Sequence, residues 1–230
     1  KWTREIDAEK PIVRIEGEFD IDSDSTQITV PVRGAIGYFK AALLKAFEQR
    51  GIRYAEAADA PMGAKLQQFS ISAAPLLSVM DEINQKSQNL HAESLFRNMA
   101  AFMTGEGNVE NGKAMERKFL NEIKVDTSGF IVFDGCGLSN KNKIKPSSET
   151  QMLAAMARHA KGEYYINSFA RPGIGSGGKR MMDLQETWLT KFKTGYISEV
   201  HGLAGSIFAL GDTLSAALYL NETGKNRDAD

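Results

Sequence analysis

Two short motifs, far apart along the chain, have the residue types of an active-serine acyl-transfer site. The first is Ser87-Gln88-Asn89, and the second, which follows 106 residues later, is Lys193-Thr194-Gly195. Enzymes of this kind combine such motifs with a Ser-x-x-Lys that carries the nucleophile. That third motif is expected upstream of the other two, where this sequence has none. The two motifs therefore predict a chemistry without supplying the attacking atom.

The residues of the second motif suit the binding of an anion at the edge of a cleft. On an edge strand, the Lys193 ammonium and the Thr194 hydroxyl would face a substrate carboxylate, and Gly195 would let the ligand approach the backbone. The backbone N–H of Tyr196 would then donate to an oxyanion. The triplet also fits a surface strand with an ordinary solvated lysine, so it is weak by itself.

The first motif has a functional and a structural interpretation. In the functional one, Ser87 relays a proton between the catalytic lysine and the leaving amine, and the Asn89 amide holds a substrate carbonyl. In the structural one, both are ordinary capping and turn residues at the end of a helix. The order and separation of the two triplets carry more weight than either triplet alone.

A glycine-rich stretch at 171–179 indicates a competing function, the binding of a nucleotide. It fits the G-x-x-x-x-G-K spacing of a phosphate loop, but Arg180 stands where a Ser or Thr would bind magnesium, and no βαβ pattern surrounds it. The stretch also contains a Ser-x-x-Lys, from Ser176 to Lys179. This one follows the Ser-x-Asn, and its glycines would not hold serine and lysine one helical turn apart. We therefore predict that Ser176 is not the nucleophile.

The size and net charge of the chain argue against some classes of function. The 230 residues, 42% of them apolar, suit one large domain or two small ones with a sizeable core. The net charge is −1 and the basic residues are scattered, which argues against nucleic acid as the main partner. No apolar run approaches the roughly 18–20 residues that cross a bilayer, so no membrane-spanning segment is predicted.

Neither a metal nor a cofactor is predicted. The single Cys136 excludes an internal disulfide and a multi-cysteine metal site, and it is expected to be a small buried residue. The three histidines are well separated and lack the spacing of metal ligands. The sequence does not indicate an oligomeric state.

Hydrophobic periodicity predicts strands near both ends of the chain and helices between them. Alternation predicts strands within 13–32, and the helical period predicts a helix over 36–50 that ends before Gly51. Further helices are predicted from Pro75 toward Lys86, around 92–102, around 115–123, and from a Ser148/Gln151 capping box to Gly162; β structure is predicted at 130–133, 196–209 and 213–220. This order predicts an α+β fold with helices packed on an antiparallel sheet.

The stretches around these motifs resemble one family, the class C low-molecular-mass penicillin-binding proteins, which are D-alanyl-D-alanine carboxypeptidases and endopeptidases of the bacterial cell wall. Residues 84–93 (Asn-Gln-Lys-Ser-Gln-Asn-Leu-His-Ala-Glu) resemble their Ser-x-Asn segment. Residues 134–139 (Asp-Gly-Cys-Gly-Leu-Ser) resemble their Asp-Gly-Ser-Gly-Leu-Ser loop, and 192–195 with 202–205 resemble their third motif and the strand after it. Cys136 in place of a serine and Tyr196 in place of Ser or Thr depart from the pattern.

The resemblance implies a transpeptidase/β-lactamase-like domain that accessory domains interrupt after the Ser-x-x-Lys. Residues 1–33 are then expected to be the end of a β-rich insertion, and residues 34–230 the C-terminal part of the penicillin-binding domain. The resemblance implies a periplasmic or other extracytoplasmic enzyme that acts on the D-Ala-D-Ala end of peptidoglycan stem peptides and binds β-lactams. Without the nucleophile, the 230 residues alone are expected to be inactive.

The resemblance also assigns roles by position. Ser87, Asn89 and Lys193 are expected to be catalytic: they would shuttle the proton, orient the peptide and add positive potential. The substrate-binding residues are expected to be Thr194, Gly195 and Tyr196.

Two other functions stay open on the sequence. One is a non-catalytic homologue that binds wall peptides or a partner protein, which the absence of a Ser-x-x-Lys from the upstream coding sequence would favour. The other is a nucleotide-binding protein built on the glycine-rich stretch, which protection by ATP with magnesium would favour.

Overall fold

The computed structural model describes residues 2–6, 13–17, 34–54, 74–178, 180, 182, 190–209 and 211–221. Contacts divide the chain into two compact units, Lys1–Ser70 and Ile71–Asp230. The predicted domain division after residue 33 stays a prediction. The strands predicted between residues 18 and 32 lie outside the described residues.

The described part of the first unit contains a small sheet and one long helix. Strands β1 (Trp2–Ile6) and β2 (Val13–Gly17) pair antiparallel. Helix α1 (Ala35–Gln49) follows the predicted helical period. Gly51, just past its end, has the positive φ of +66° that a helix-ending glycine commonly adopts. The helix predicted over 36–50 is therefore confirmed.

Among the described residues, five helices form the first part of the second unit. They are α2 (Leu76–Asn84), α3 (Asn89–Thr104), α4 (Val109–Glu122), α5 (Pro146–Arg158) and α6 (Gly162–Asn167). The first three lie where the hydrophobic period predicts helices. No prediction covers α6, because six residues are fewer than two turns and are too few to show a period. None of the helices among the described residues is long and apolar enough to cross a membrane.

The second unit continues with a three-stranded antiparallel sheet. Strands β3 (Thr190–Ile197), β4 (Val200–Ala209) and β5 (Asp212–Leu220) lie in that order. The strand predicted over 196–209 is β4 over most of its length, but its predicted start is wrong, since a turn at Ser198 separates β3 from β4. Ser198 has a φ of +41° without the glycine or asparagine that usually marks such a turn, so apolar residues on both sides concealed it.

One face of this sheet is covered by α5. Leu153 of α5 packs with Phe169 and with Ala204 of β4 in the buried core. Residues on β5 alternate between half-buried and exposed, as expected when a helix covers only one side. Lys193 is opposite Ala204 in the strand register, so its side chain leaves β3 on the helix-covered face. The core therefore fixes the direction of the motif lysine.

Helix α5 begins at Pro146, and the predicted Ser148/Gln151 capping box is wrong. The Ser148 hydroxyl donates to the backbone carbonyl of Asp126 at 2.6 Å. The Gln151 side-chain oxygen accepts the backbone N–H of the same Asp126 at 2.8 Å. Proline suits the first helical turn because it has no N–H to leave unpaired. The two polar residues therefore hold the preceding loop rather than the helix end. The helix also stops at Arg158, before the predicted Gly162.

The apolar run at 130–133 makes only an isolated bridge, so the β structure predicted there is wrong as a strand. Ile131 exchanges two backbone hydrogen bonds of 2.9 Å with Lys143. Directly afterwards the Asp134 carboxylate accepts the backbone N–H groups of Gly137 and Ser139 at 2.7 and 2.6 Å. These bonds curl the backbone into a loop and end any extended pairing.

The bond from Ser148 to the loop should contribute measurably to stability. Ser148 is 4% exposed, so Ser148→Ala removes a buried hydrogen bond and should lower the free energy of unfolding by about 1–2 kcal/mol. Ser147→Ala, at the exposed neighbouring position in the same helical turn, should change it by less than about 0.5 kcal/mol. Urea denaturation of both variants measures the difference, and equal effects would contradict the assignment.

Candidate active site

Ser87 occupies a strained turn between α2 and α3. Its φ is +56°, in the left-handed region that costs a non-glycine residue free energy and that is common at functional sites. The backbone N–H of Gln88 donates to the carbonyl of Glu82 at 3.1 Å and closes the turn. Asn89 is then the first residue of α3. The turn thus presents Ser87 at an exposed position between two helices.

Lys193 reaches this turn from the sheet. Its Nζ donates to the Ser87 Oγ at 2.7 Å, across 106 residues of sequence. A second bond of 2.5 Å runs from the same Nζ to the backbone carbonyl of Thr194. The structure therefore brings together one side chain from each of the two motifs.

The Lys193 ammonium has neutral hydrogen-bond partners, the Ser87 hydroxyl and the Thr194 carbonyl. Burial lowers its pKa from the ordinary value of 10.5, because the charged form loses solvation. No Asp or Glu among the described residues forms an ion pair with it. A half-buried cation whose described partners are all neutral favours the binding of an anionic ligand at this position.

The residues after Lys193 lie on the edge strand β3. The Phe192 N–H points away from β4 and donates to the Ala170 carbonyl at 2.9 Å. Because N–H groups alternate in direction along a strand, the N–H of Tyr196 faces the same outer edge. The Tyr196 side chain is 64% exposed and contacts the His201 ring at a centroid distance of 4.7 Å. The backbone N–H of Tyr196, and not its ring, is therefore the group that can donate a hydrogen bond at the outer edge of β3.

The other predicted site residues are accessible. Asn89 and Gly195 are exposed and Thr194 is half-buried. Among the residues that the structure describes, the side chains of Asn89 and Thr194 make no hydrogen bond to another side chain. The direct contact between the two motifs runs through Ser87 and Lys193.

A loop over 134–139 supports α3 just after the Ser-x-Asn. Glu93, one turn into α3, accepts the backbone N–H of Gly135 at 2.7 Å. The Asp134 carboxylate organises the loop by accepting from Asn142 at 2.9 Å, in addition to two backbone N–H groups. Motif reasoning assigned no role to Glu93 or Asp134. Both lie at the ends of the stretches that resemble the family, and this position is the signal that could have identified them.

Cys136, in the middle of that loop, does not have the surroundings of a reactive thiol. It is half-buried, and burial raises the pKa of its thiol, with the carboxylates of Asp134 and Glu93 acting in the same direction. A thiolate is therefore disfavoured here. In the described part of the chain, no cluster of His, Cys, Asp and Glu could hold a metal ion.

The glycine-rich stretch is folded in a way that disfavours phosphate binding. Backbone N–H groups cradle a phosphate only when they are free. Here those of residues 173, 174, 176, 177, 178 and 180 all donate to backbone carbonyls of the protein. Ser176 lies in a short 3₁₀ turn, Gly175–Gly177, and its hydroxyl oxygen is buried without a hydrogen-bond partner in the described residues. Neither a phosphate loop nor an accessible nucleophile results.

Proteins of known function resemble this chain over much of its length. The penicillin-sensitive carboxypeptidase A of Dictyostelium discoideum is 23% identical over 226 residues, which are 94% of this chain and 43% of that protein. The D-alanyl-D-alanine carboxypeptidase DacB of Haemophilus influenzae is 25% identical over 154 residues, or 64% of this chain and 32% of that protein. The chain thus spans less than half of the length of these relatives.

The fold also matches a solved structure. Penicillin binding protein 4 of Haemophilus influenzae, crystallised in complex with a β-lactam, superposes with a TM-score of 0.76 at 18% identity, over 100% of this chain and 54% of that one. The predicted α+β, transpeptidase-like fold is confirmed. A family model matches residues 4–230, and on that match the chain belongs to the D-Ala-D-Ala carboxypeptidase 3 (S13) family.

Proposed function

We propose that this protein acts as a serine-type D-Ala-D-Ala carboxypeptidase or endopeptidase on peptidoglycan stem peptides, and that these residues supply its second and third motifs. The observation that carries the proposal is the 2.7 Å hydrogen bond between the Lys193 ammonium and the Ser87 hydroxyl. Membership of the family supports the reaction class. Because the substrate lies outside the cytoplasmic membrane, the proposed location is the periplasm or another extracytoplasmic space.

The proposed reaction passes through an acyl-enzyme. A serine oxygen attacks the carbonyl carbon of the penultimate D-Ala, the C–N bond to the following residue breaks, and the leaving nitrogen takes a proton. Water then attacks the ester and releases the shortened peptide and the free serine. The nucleophile is expected on a Ser-x-x-Lys outside these 230 residues, since the hydroxyl of Ser176 is buried. β-Lactams would acylate the same serine through their amide carbonyl.

Ser87 is the proposed proton relay. A hydroxyl accepts and donates hydrogen bonds at the same time, so Ser87 can accept a hydrogen bond from Lys193 while it passes its own proton to the leaving nitrogen. It would regain a proton from the lysine of the Ser-x-x-Lys, which would take that proton from the attacking serine. The strained backbone at Ser87 supports this role, because such strain persists where the surrounding structure enforces a functional geometry.

The edge of β3 is the proposed binding site for the negatively charged parts of the substrate. Lys193 would contribute positive potential, and the Thr194 hydroxyl would bind the terminal carboxylate. The Tyr196 N–H would donate to the oxyanion of the tetrahedral intermediate, a role that depends on the backbone and therefore tolerates the tyrosine side chain. Gly195 leaves room for the peptide, and the exposed Asn89 amide would orient it.

A non-catalytic homologue that binds wall peptides is the second candidate. Lys193, which has no carboxylate partner among the described residues, would serve it as an anion site. The strained φ of Ser87 favours the enzyme, because peptide binding alone does not require a proton relay at this position.

Removal of Lys193 should abolish efficient acylation in the complete gene product. Lys193→Ala should slow acylation by fluorescent penicillin about 10²- to 10³-fold, because the positive potential that stabilises the developing oxyanion is lost. Lys191→Ala is the matched control: this lysine lies on the same strand and donates to Asn167. We expect the control to acylate at the normal rate. Normal acylation of Lys193→Ala, with folding checked by circular dichroism, would refute the site.

Replacement of Ser87 should separate stability from activity. Ser87→Gly removes the hydroxyl and also relieves the left-handed backbone. Because the relief of strain offsets the loss of the hydrogen bond from Lys193, the unfolding free energy should change by less than about 1 kcal/mol. Its acylation rate should nevertheless fall about 10²-fold or more, because the relay is gone. Thermal unfolding and penicillin acylation of the same sample measure both effects. A variant that is stably folded and fully active would contradict the relay.

The 230-residue chain alone should not react with fluorescent penicillin. Its one Ser-x-x-Lys has a buried serine in a 3₁₀ turn, where attack on a carbonyl is blocked. Mass spectrometry after incubation with penicillin tests this expectation. A covalent adduct that disappears in Ser176→Ala would show that the nucleophile lies within the glycine-rich stretch after all.

A further inference from the structure

A segment that the proposed mechanism does not use, residues 168–178, contacts the end of α2, which leads into the first motif, and β3, which carries the second. We call it the bridging segment. It includes most of the glycine-rich stretch and lies, in sequence, between α6 and β3. On one side it contacts the end of α2, directly before Ser87, and on the other it contacts β3, directly before Lys193.

The contact with α2 leaves little freedom. Asn84 Nδ2 donates to the buried Ser168 hydroxyl at 2.7 Å, and the Ser176 backbone N–H donates to the Gln85 carbonyl at 2.5 Å. A Cβ at Gly175 would collide with the Gln85 carbonyl oxygen and would lie 2.9 Å from its carbonyl carbon. The segment therefore presses against the backbone two residues before Ser87.

The contact with β3 is equally close. The Phe192 N–H donates to the Ala170 carbonyl at 2.9 Å, and Phe192 is only 4% exposed. A Cβ at Gly177 would lie 3.2 Å from the Phe192 ring and would collide with the Arg171 carbonyl oxygen. The residue that follows Phe192 is Lys193, so this contact fixes the start of the lysine side chain.

Internal hydrogen bonds make the segment rigid. The Gly173 N–H donates to the Gly178 carbonyl at 2.9 Å, and the Ile174 N–H donates to the Arg171 carbonyl at 2.9 Å. A rigid body in contact with two elements transmits the position of one to the other.

We propose that the bridging segment is the spacer that sets the distance between Ser87 and Lys193, with Gly175 as the positioning residue. A displacement of about 1 Å is enough to break a hydrogen bond of 2.7 Å. An added Cβ at Gly175 must move the Gln85 backbone or the segment, and either movement separates the two side chains. The consequence for catalysis rests on the proposed function, whereas the spacing itself does not.

The test measures the distance through the chemistry of an introduced thiol. In the Ser87→Cys/Cys136→Ala chain, the nearby Lys193 ammonium should lower the thiol pKa below the ordinary value of about 8.5. Adding Gly175→Ala should return the thiol pKa toward that value and slow alkylation by iodoacetamide at pH 7 by roughly threefold to tenfold. Rates measured from pH 5 to pH 10 give the thiol pKa. The same double variant with Lys193→Ala provides the reference without the ammonium.

Gly173→Ala is the matched control. Gly173 lies in the same segment with a similar positive φ, +79° against +63° at Gly175, so both substitutions strain the backbone. The nearest side-chain atom to a Cβ at Gly173 is 3.8 Å away, on Met182, so no collision follows. This variant should lower stability but leave the thiol pKa unchanged. Equal shifts in both variants, or no shift in Gly175→Ala, would overturn the proposal.

A second variant decides the question if Gly175→Ala does not fold. Ser168→Ala removes the hydrogen bond to Asn84 without adding volume, and it should raise the thiol pKa in the same direction by a smaller amount. An unchanged thiol pKa would then refute the spacer. The Lys86 charge does not account for a change in thiol pKa between variants, because Lys86 is present in all of them and is paired with Glu82 at 2.5 Å.

The outcomes also separate this proposal from the proposed function. If Gly175→Ala shifts the thiol pKa but penicillin never acylates the complete protein, the spacer role is supported and the proposed enzyme activity is refuted. Normal acylation of Gly175→Ala in the complete gene product, together with an unchanged thiol pKa, would refute the spacer and leave the proposed enzyme activity standing. A normal thiol pKa in the starting Ser87→Cys variant would refute the contact with Lys193 on which both depend.

Discussion

The hydrogen bond from the Lys193 ammonium to the Ser87 hydroxyl is the interaction on which the site depends. A half-buried cation is costly unless its protons are hydrogen-bonded, and here a hydroxyl and the Thr194 carbonyl accept them. Neither acceptor carries a full charge, so the positive potential is not cancelled within the described part of the chain. The site therefore combines a satisfied donor with an uncompensated charge, as the binding of a carboxylate or an oxyanion requires.

The rest of the second unit can be understood as support for that bond. The bridging segment contacts α2 before Ser87 and β3 before Lys193, while the Asp134 loop holds α3 after Asn89 through Glu93. Two of these contacts, one on each side of Ser87 in the sequence, explain how it keeps its left-handed backbone. Strain of this kind persists only when neighbouring contacts over-determine the position. The glycines of the bridging segment thus serve close packing rather than the binding of a phosphate.

The elements that the sequence predicted well are those whose pattern is local. Helices α1 to α4 follow a clear 3.6-residue period and have identifiable ends, such as Gly51 after α1. The failures share a different cause. Ser148 and Gln151 have the spacing of a capping box, but Asp126, more than twenty residues away, is their partner. The turn at Ser198 lacks the usual residues, so only strand pairing reveals it.

By itself the sequence determined which reaction class to expect. It did so through the two triplets, their order, the family that they resemble, and the absence of a usable Ser-x-x-Lys before them. Residue types and their spacing are properties of the chain, so no fold was needed to read them. Only the tertiary structure decided that Ser87 and Lys193 form a hydrogen bond and that the glycine-rich stretch packs beside them. It also decided that Lys193 is half-buried and has no carboxylate partner among the described residues. The distance between two residues that are 106 positions apart in the sequence depends on how the chain packs, and so does the burial of a charge. The pattern of residues along the chain does not specify that packing.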